Sequence, residues 1–543
     1  MTDVVRQQLS LLNNRLGRHE PLVLVVVSVT STYIILKAHR FMTKSEKSLW
    51  QRFKSAFFSQ LRRLPAVKKK IEAEMAPTLK SIEHSIHDCD ESKEFMAVIP
   101  AGAKSVEQIV QKAAEYSSMN KKFDYKTGKI SGAIYTDIGD EQHIEVLTKI
   151  FQTYAFSNPL HPDIFPGARK MEAEVVRMVA SLFHGDEKTC GTMTSGGTES
   201  IFLACFAHRN RANAKGIEDP IIVVPVTAHA AFEKAAHILG IRIRKVKVND
   251  DGRVCMKAFR SAVTSEACML VGSAPNFPTG TVDPIDEIAQ LGEKYDIPVH
   301  VDACLGGFLI PFMEENDFMI TVFDFRLKGV SSISCDTHKY GYCPKGSSTI
   351  IYRSTEYLHH QYFSITDWPG GIYATPTLAG SRAGLNIALT WATLIYFGRD
   401  QYSRRAKEIL EFARYFSYRV PLIPGLKLVG SPDVSVVAFR SDEYNIYAVG
   451  DALNAKGWNL NALQMPDAIH FCLTYNQARK EVIDKFLQDL KTICAEVSSR
   501  PDKGGKSDTA AIYGVAGSVP DKSLVDDVTY AYLDTCYAAP KKH

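Results

Sequence analysis

Pro298-Val299-His300-Val301-Asp302, running into Ala303-Cys304-Leu305-Gly306-Gly307-Phe308, is the stretch that decides the fold. It is a short apolar β-run that ends in an acid and breaks at once into small residues. That is how a buried strand delivers a carboxylate to the end of a sheet. The pattern recurs on both sides. A run at 221–224 precedes a helix near 230–239, one at 268–271 precedes a helix over 284–295, and runs at 331–334 and 349–352 complete the set. Apolar β-rich segments alternating with amphipathic helices predict an α/β fold, a mostly parallel sheet flanked by helices. Ligands of such sheets gather at the carboxyl ends of the strands.

Beyond about residue 400 the pattern becomes that of a smaller α+β domain, with expected strands at 426–429, 434–439 and 469–474. A chain of 543 residues can bury a large core and more than one domain. Its net charge of +4 is too small to argue for nucleic acid, and the basic residues cluster in the first hundred positions. The eleven cysteines show neither metal-ligand spacing nor a repeating frame, so no metal site is expected and a reducing compartment is.

Four features follow strand ends in chain order. Thr194-Ser195-Gly196-Gly197-Thr198-Glu199-Ser200 leads into an apolar helix, where glycines and free N–H groups suit a phosphate. Taken alone this is equally a Gly-Gly turn with Thr198 as a cap. His229 follows the 221–224 run and can stack on a planar ring; by itself it reads as a structural cap. Asp302 can keep a pyridinium nitrogen protonated. Lys339, in Asp336-Thr337-His338-Lys339-Tyr340, supplies an amine for a Schiff base, with His338 in reach of a cofactor phosphate. Jointly these point to pyridoxal 5'-phosphate held by Lys339 and Asp302, with His229, Gly197, Thr198 and His338 around it.

The chain resembles the fold type I pyridoxal-phosphate enzymes, and among them the sphingosine-1-phosphate lyase family. The resemblance rests on Ser131-Gly132-Ala133-Ile134-Tyr135, NPLHPDIFPG (158–167), HVDACLGGF (300–308), DTHKYGY (336–342), GGIYATPTLAGSR (370–382) and AKGWNLN (455–461), and extends to 511–514. It implies a transferase-like fold and retro-aldol cleavage of a phosphorylated long-chain sphingoid base into phosphoethanolamine and a long-chain aldehyde. A base would take the C3 hydroxyl proton while the C2–C3 bond breaks. It implies a phosphate-end clamp from Tyr135, His161 and Lys345, and a homodimer in which Gly380 and Ser381 approach the cofactor phosphate from the partner subunit. Cys343 and Ala383 depart from the alanine and proline usual there, and Cys343 adds an oxidisable thiol near the site. The competing reading is an amino-acid decarboxylase of the same fold, for which Arg382 is a possible carboxylate partner.

PLVLVVVSVTSTYIIL (21–36) is uncharged and spans roughly 24 Å as a helix, with Arg18, Lys37 and Arg40 placed to snorkel. No small-residue cleavage site follows, which argues against a signal peptide. The basic excess after it places the remainder on the cytosolic side. The expected organisation is a lumenal 1–20, a transmembrane anchor over 21–37, a helical linker over 38–140, a large cofactor domain over 141–395 and a small C-terminal domain over 396–543. The expected location is the endoplasmic reticulum membrane, crossed once.

Overall fold

The computed structural model describes residue 17 and residues 21–43, 49–87, 95–119, 123–505, 509 and 523–539. The remainder of 1–20, and the 511–514 motif, lie outside the described residues. The chain divides into two compact units, 89–518 and a helical one made of 1–88 with 519–541.

The larger unit is built on a seven-stranded sheet of β1 (Cys190–Thr194), β2 (Ile221–Pro225), β3 (Arg242–Val246), β4 (Ala267–Ser273), β5 (Val299–Asp302), β6 (Val330–Cys335) and β7 (Ser348–Tyr352). Their order is β1-β7-β6-β5-β4-β2-β3. Every expected strand of this sheet is present. β1 and β3 were not anticipated, because Cys-Gly-Thr-Met-Thr and Arg-Ile-Arg-Lys-Val carry too little apolar signal; both lie at the sheet's edges, with one flank unpaired.

The sheet is mixed. β2, β3, β4, β5 and β6 pair in parallel, while β7 runs antiparallel to both β6 and β1. This reversal matters for the site. A parallel partner after β6 would require a crossover to the far end of the sheet. An antiparallel one lets residues 336–347 turn back at the carboxyl end of β6. β1 points the same way as β6, so Thr194, Asp302 and Cys335 all end at one edge, and Thr194 sits opposite Ser348.

Both faces of the sheet are covered, which is why its strands read as continuous apolar runs. Ile222, Val224, Met269 and Val271 pack with Ile201, Cys205 and Phe232 on one side. Ile221, Val223, Leu270 and Val299 pack with Phe259 and Ile288 on the other. Each such fully buried side chain contributes roughly 1.5–3 kcal/mol by removal from water.

A short ribbon, β8 (Phe363–Ile365) with β9 (Tyr373–Thr375), precedes the helix Gly384–Arg419. That helix carries the chain from the large sheet to a small one and is kinked at Gly398, whose φ of 61° suits glycine. The small sheet comprises β10 (Leu426–Val429), β11 (Val436–Ser441), β12 (Asn461–Leu463) and β13 (Ala468–Cys472), antiparallel in the order β10-β11-β13-β12. Trp458, Phe471 and Phe486 form its aromatic core, with Trp458 and Phe486 ring centroids 4.8 Å apart.

In the other unit the helix Ser523–Tyr537 packs on Pro65–His87, and Arg62 pairs with Asp527. The expected anchor is helical, within Pro21–Thr43, and Val25, Val27, Val29 and Ile35 along it are exposed. Among the described residues, however, no helix is long and apolar enough to cross a membrane. The charge-free run stops at Leu36, and the helix continues into Lys37, His39 and Arg40.

Candidate active site

Lys339 lies in the 336–347 reversal at the carboxyl end of β6. Its Nζ is 2.9 Å from Oδ2 of Asp336, which is only 3% exposed as a side chain. The spacing of three residues lets one turn bring the two together, and Lys339 N–H also donates to the Asp336 carbonyl. Burial, the largest single influence, favours the neutral amine, but the charge and hydrogen bond of Asp336 together with the neighbouring groups outweigh it and the lysine is held charged. For Asp336 burial acts upward, yet Lys339 and then His338 hold it below the usual carboxylate range.

Asp302 is 7% exposed at the end of β5. Its Oδ1 accepts the Cys304 N–H at 3.1 Å and the Ser334 hydroxyl at 3.4 Å. Among the described residues no donor reaches Oδ2, so one carboxylate oxygen is left for a donor from a ligand. Asp302 and Asp336 both act on the Cys304 thiol, which burial first and these charges second raise well above its ordinary pKa; Lys339 acts in the opposite sense. Asp302 also contributes to holding Lys339 charged. The amine and the two acids therefore share one electrostatic neighbourhood.

The turn 194–198 closes over this group. A Cβ on Gly197 would lie 2.7 Å from Asp336 Oδ1 and 2.9 Å from Cys304 Sγ, so the close approach admits only glycine. A Cβ on Gly196 would lie 3.6 Å from Cε1 of His338, which places that imidazole against the turn. His338 Nδ1 is buried with no hydrogen-bond partner. Burial, partly countered by Asp336, pulls His338 below the ordinary histidine range. A cavity of about 670 Å³ opens beside the turn, lined by Ser195, Thr198 and Glu199 and by Ser381 and Arg382. An orphaned ring nitrogen, a glycine turn without room for a Cβ and a free carboxylate oxygen fit a group bearing a phosphate at one end and a ring N–H at the other.

His229 is exposed just beyond β2, and its Nδ1 accepts the Ala231 N–H at 3.1 Å. Tyr135, buried at 4% exposure, meets Tyr340 edge-on at 4.9 Å. Lys345 Nζ stands 5.1 Å from the Tyr135 ring centroid, and burial followed by the Lys339 charge lowers its pKa. The structure thus brings Tyr135 and Lys345 together close to the Lys339 reversal. His161 is exposed on a loop whose neighbour Asn158 donates to Ser381 Oγ at 3.1 Å and accepts the Arg382 N–H at 3.2 Å. Gly380 packs under the Tyr373 hydroxyl.

Arg382 is already engaged. Its guanidinium grips both oxygens of Glu172, at 2.5 and 2.8 Å, with both side chains largely buried. Sequence reasoning missed this pairing and also the role of Asp336 beside Lys339. The second had a signal, an acid three residues before the lysine; the first, with partners far apart in the chain, had none.

This fold and site define a pyridoxal-phosphate-dependent enzyme of the decarboxylase type. Residues 143–442 match the pyridoxal-dependent decarboxylase conserved domain. A glutamate decarboxylase from Lactobacillus brevis, 21% identical, superposes with a TM-score of 0.65 over 76% of this chain and 98% of its own, a likeness of fold. The chain belongs to the sphingosine-1-phosphate lyase family. It is 42% identical over 527 residues to sphingosine-1-phosphate lyase 1 of Rattus norvegicus, covering 97% of this chain and 92% of the rat protein. A sphingosine-1-phosphate lyase structure from Burkholderia pseudomallei is 36% identical, with a TM-score of 0.72 over 79% of this chain and 98% of that one.

Proposed function

We infer that this protein cleaves phosphorylated sphingoid bases such as sphingosine 1-phosphate into phosphoethanolamine and a long-chain aldehyde, with pyridoxal phosphate held at Lys339. Support comes from family membership over nearly the whole chain. Bound there, the cofactor ring supplies an electron sink for the carbon–carbon bond that breaks. Lys339 is the amine that carries the cofactor, and Asp336 governs the proton on its Nζ. Asp302 presents Oδ2 to the ring nitrogen, and His338 with the Gly197-Thr198 turn receives the cofactor phosphate. Lys345, beside Tyr135, offers a positive charge to the substrate phosphate, and His161 is assigned to the same end.

The observation that carries the choice of lyase over amino-acid decarboxylase is the Arg382–Glu172 pair. An enzyme taking an amino acid must bind or release an α-carboxylate, and the arginine that sequence reasoning offered for it is neutralised by its own bidentate partner. The test is incubation of the purified protein with sphingosine 1-phosphate, read by mass spectrometry for the aldehyde. Lys339→Ala should abolish it. Carbon dioxide released from amino acids without aldehyde from the lipid would reverse the assignment.

The protein is further assigned to the endoplasmic reticulum membrane as a single-pass protein anchored through residues 21–37, with the catalytic unit in the cytosol. The charge-free run and the basic residues after it support this. So does the helix Leu49–Leu61, whose exposed Trp50, Phe53 and Phe57 stack along one side with centroids 5.8 and 6.4 Å apart, a surface suited to a headgroup boundary. Retention in the membrane pellet after alkaline extraction tests it; release into the supernatant would reject it. A homodimer is supported by exposed apolar residues near the 370–382 motif, among them Trp368, Ile372 and Leu378. Sedimentation in detergent as a monomer would reject that.

A further inference from the structure

Two histidines and two serines behind the site form a continuous buried chain that ends on Asp302. His208, on the helix Gly197–Ala214, is 2.8 Å from Ser332 Oγ through Nε2. Ser332 Oγ is 2.9 Å from His300 Nδ1, and His300 Nε2 is 3.1 Å from Ser334 Oγ. Ser334 then donates to Asp302 Oδ1 at 3.4 Å. His208 is 1% exposed, and Ser332, His300 and Ser334 are fully enclosed.

The strand register builds this chain. Parallel pairing of β5 and β6 sets His300 beside Ser332 and Asp302 beside Ser334. His300 and Asp302, two residues apart on one strand, point to the same face. Val299 and Val301, which alternate with them on the strand, are wholly buried and apolar. A central parallel strand ordinarily puts apolar side chains on both faces, so four polar groups here are an expensive substitute for packing unless they act.

The direction of the chain is forced. Ser334 donates to Asp302 Oδ1, so its oxygen must accept from His300 Nε2–H. Nδ1 of His300 is then bare and accepts from Ser332, which in turn accepts from His208 Nε2–H. His208 Nδ1 is left as an acceptor, and it is the atom found buried without a partner. Every donor points toward Asp302, and each imidazole is fixed as its Nε2–H tautomer. Burial keeps both rings neutral: His300 is pushed down to about 4, and His208 well below the ordinary value.

We propose that His300 is a positioning residue for the cofactor: through Ser334, and steadied by Ser332 and His208, it holds Asp302 turned so that Oδ2 meets the ring nitrogen. This rests on the reading of Asp302 given above. Neither histidine touches the reacting atoms. Losing the chain removes a donor from Oδ1, leaves the carboxylate free to turn, and weakens its hold on a ring N–H.

The test uses the full-length holoenzyme loaded with pyridoxal phosphate labelled with nitrogen-15 in the ring. The wild type should show a pyridinium nitrogen. Ser334→Ala and His300→Phe should both move that resonance toward the unprotonated form and weaken cofactor binding by about tenfold. His300→Gln, whose amide can accept from Ser332 and donate to Ser334, should recover most of the shift. Should His300→Phe not fold, Ser334→Ala decides, because it removes a single hydroxyl. A wild-type resonance in both variants, with only the melting temperature lowered, would make the chain merely structural and overturn the proposal. If the wild type binds cofactor at Lys339 with an unprotonated ring nitrogen, the proposal is likewise overturned. No cofactor at Lys339 in the wild type would instead refute the reading of the site on which it rests.

Discussion

Lys339 Nζ and Asp336 Oδ2 lie 2.9 Å apart, so the candidate Schiff-base lysine is paired with an acid of its own turn. Both side chains are largely buried, and each holds the other charged. A protonated amine cannot attack an aldehyde, so with Lys339 in its proposed role the pair would set the pH at which the cofactor is captured.

Asp336→Asn should therefore move that capture to lower pH. With the carboxylate gone, burial favours the free amine against only the weaker pull of Asp302, a change of roughly one pH unit or more. The measurement is the pH dependence of pyridoxal phosphate uptake by the apo-protein, followed by absorbance. A midpoint that stays or rises would show that Asp336 does not control the amine.

Arg382→Ala should leave Glu172 charged and without its partner in a nearly enclosed place. Breaking such a pair costs about 3–5 kcal/mol. Urea unfolding should show that loss, and adding Glu172→Gln should restore a large part of it. Equal stabilities of the single and double variants would refute the coupling.

Lys345→Gln should impair handling of the phosphorylated base far more than of its dephosphorylated analogue. A lost charge-assisted hydrogen bond of about 1.5–3 kcal/mol is a tenfold to hundredfold fall in kcat/KM. The comparison of both substrates reads it; an equal fall for both would remove Lys345 from the phosphate end.

Mild acid should destabilise the fold through its buried histidines. Burial pushes His300 and His470 down to about 4, and moves His143 and His208 the same way. Between about pH 6.5 and 4 the unfolded chain binds protons that the folded one refuses, so stability falls as pH falls, by about 1.4 kcal/mol per pH unit per fully neutral histidine. Asp283, pushed up to about 6 by burial, and Asp433, which burial also raises, work in the opposite direction but are two groups against more histidines. Urea midpoints at pH 7.5, 6 and 5 should decline in that order. A flat series would contradict the buried neutral histidines.

Cys343 should be inert to mild peroxide. The residue is 5% exposed and burial pushes its thiol up to about 12, so it has almost no thiolate at neutral pH. This corrects the expectation of an oxidisable group near the site. Activity that falls in peroxide and is protected by Cys343→Ala would reinstate it.

The central strands were legible because a strand covered on both faces must be apolar at every position, as Ile221 to Val224 and Ala267 to Val271 are. The candidates Lys339, Asp302 and Gly197 were legible because chemistry at a sheet edge requires particular residue types after strand ends. β1 and β3 were not, since edge strands escape that apolar demand. Nor was the antiparallel placement of β7, which no local pattern encodes, although it keeps the 336–347 reversal beside Asp302.

Local order along the chain therefore determined which groups the site contains and in what succession the strands present them. Tertiary structure alone decided their partners: Asp336 for Lys339, Glu172 for Arg382, and the His208–Ser332–His300–Ser334 chain for Asp302. The reason is physical. Strand and turn identity follow from near-neighbour sterics and hydrophobic burial, which a sequence displays. Hydrogen bonds and charge pairs between distant segments depend on sheet order and register, which exist only once the chain has folded.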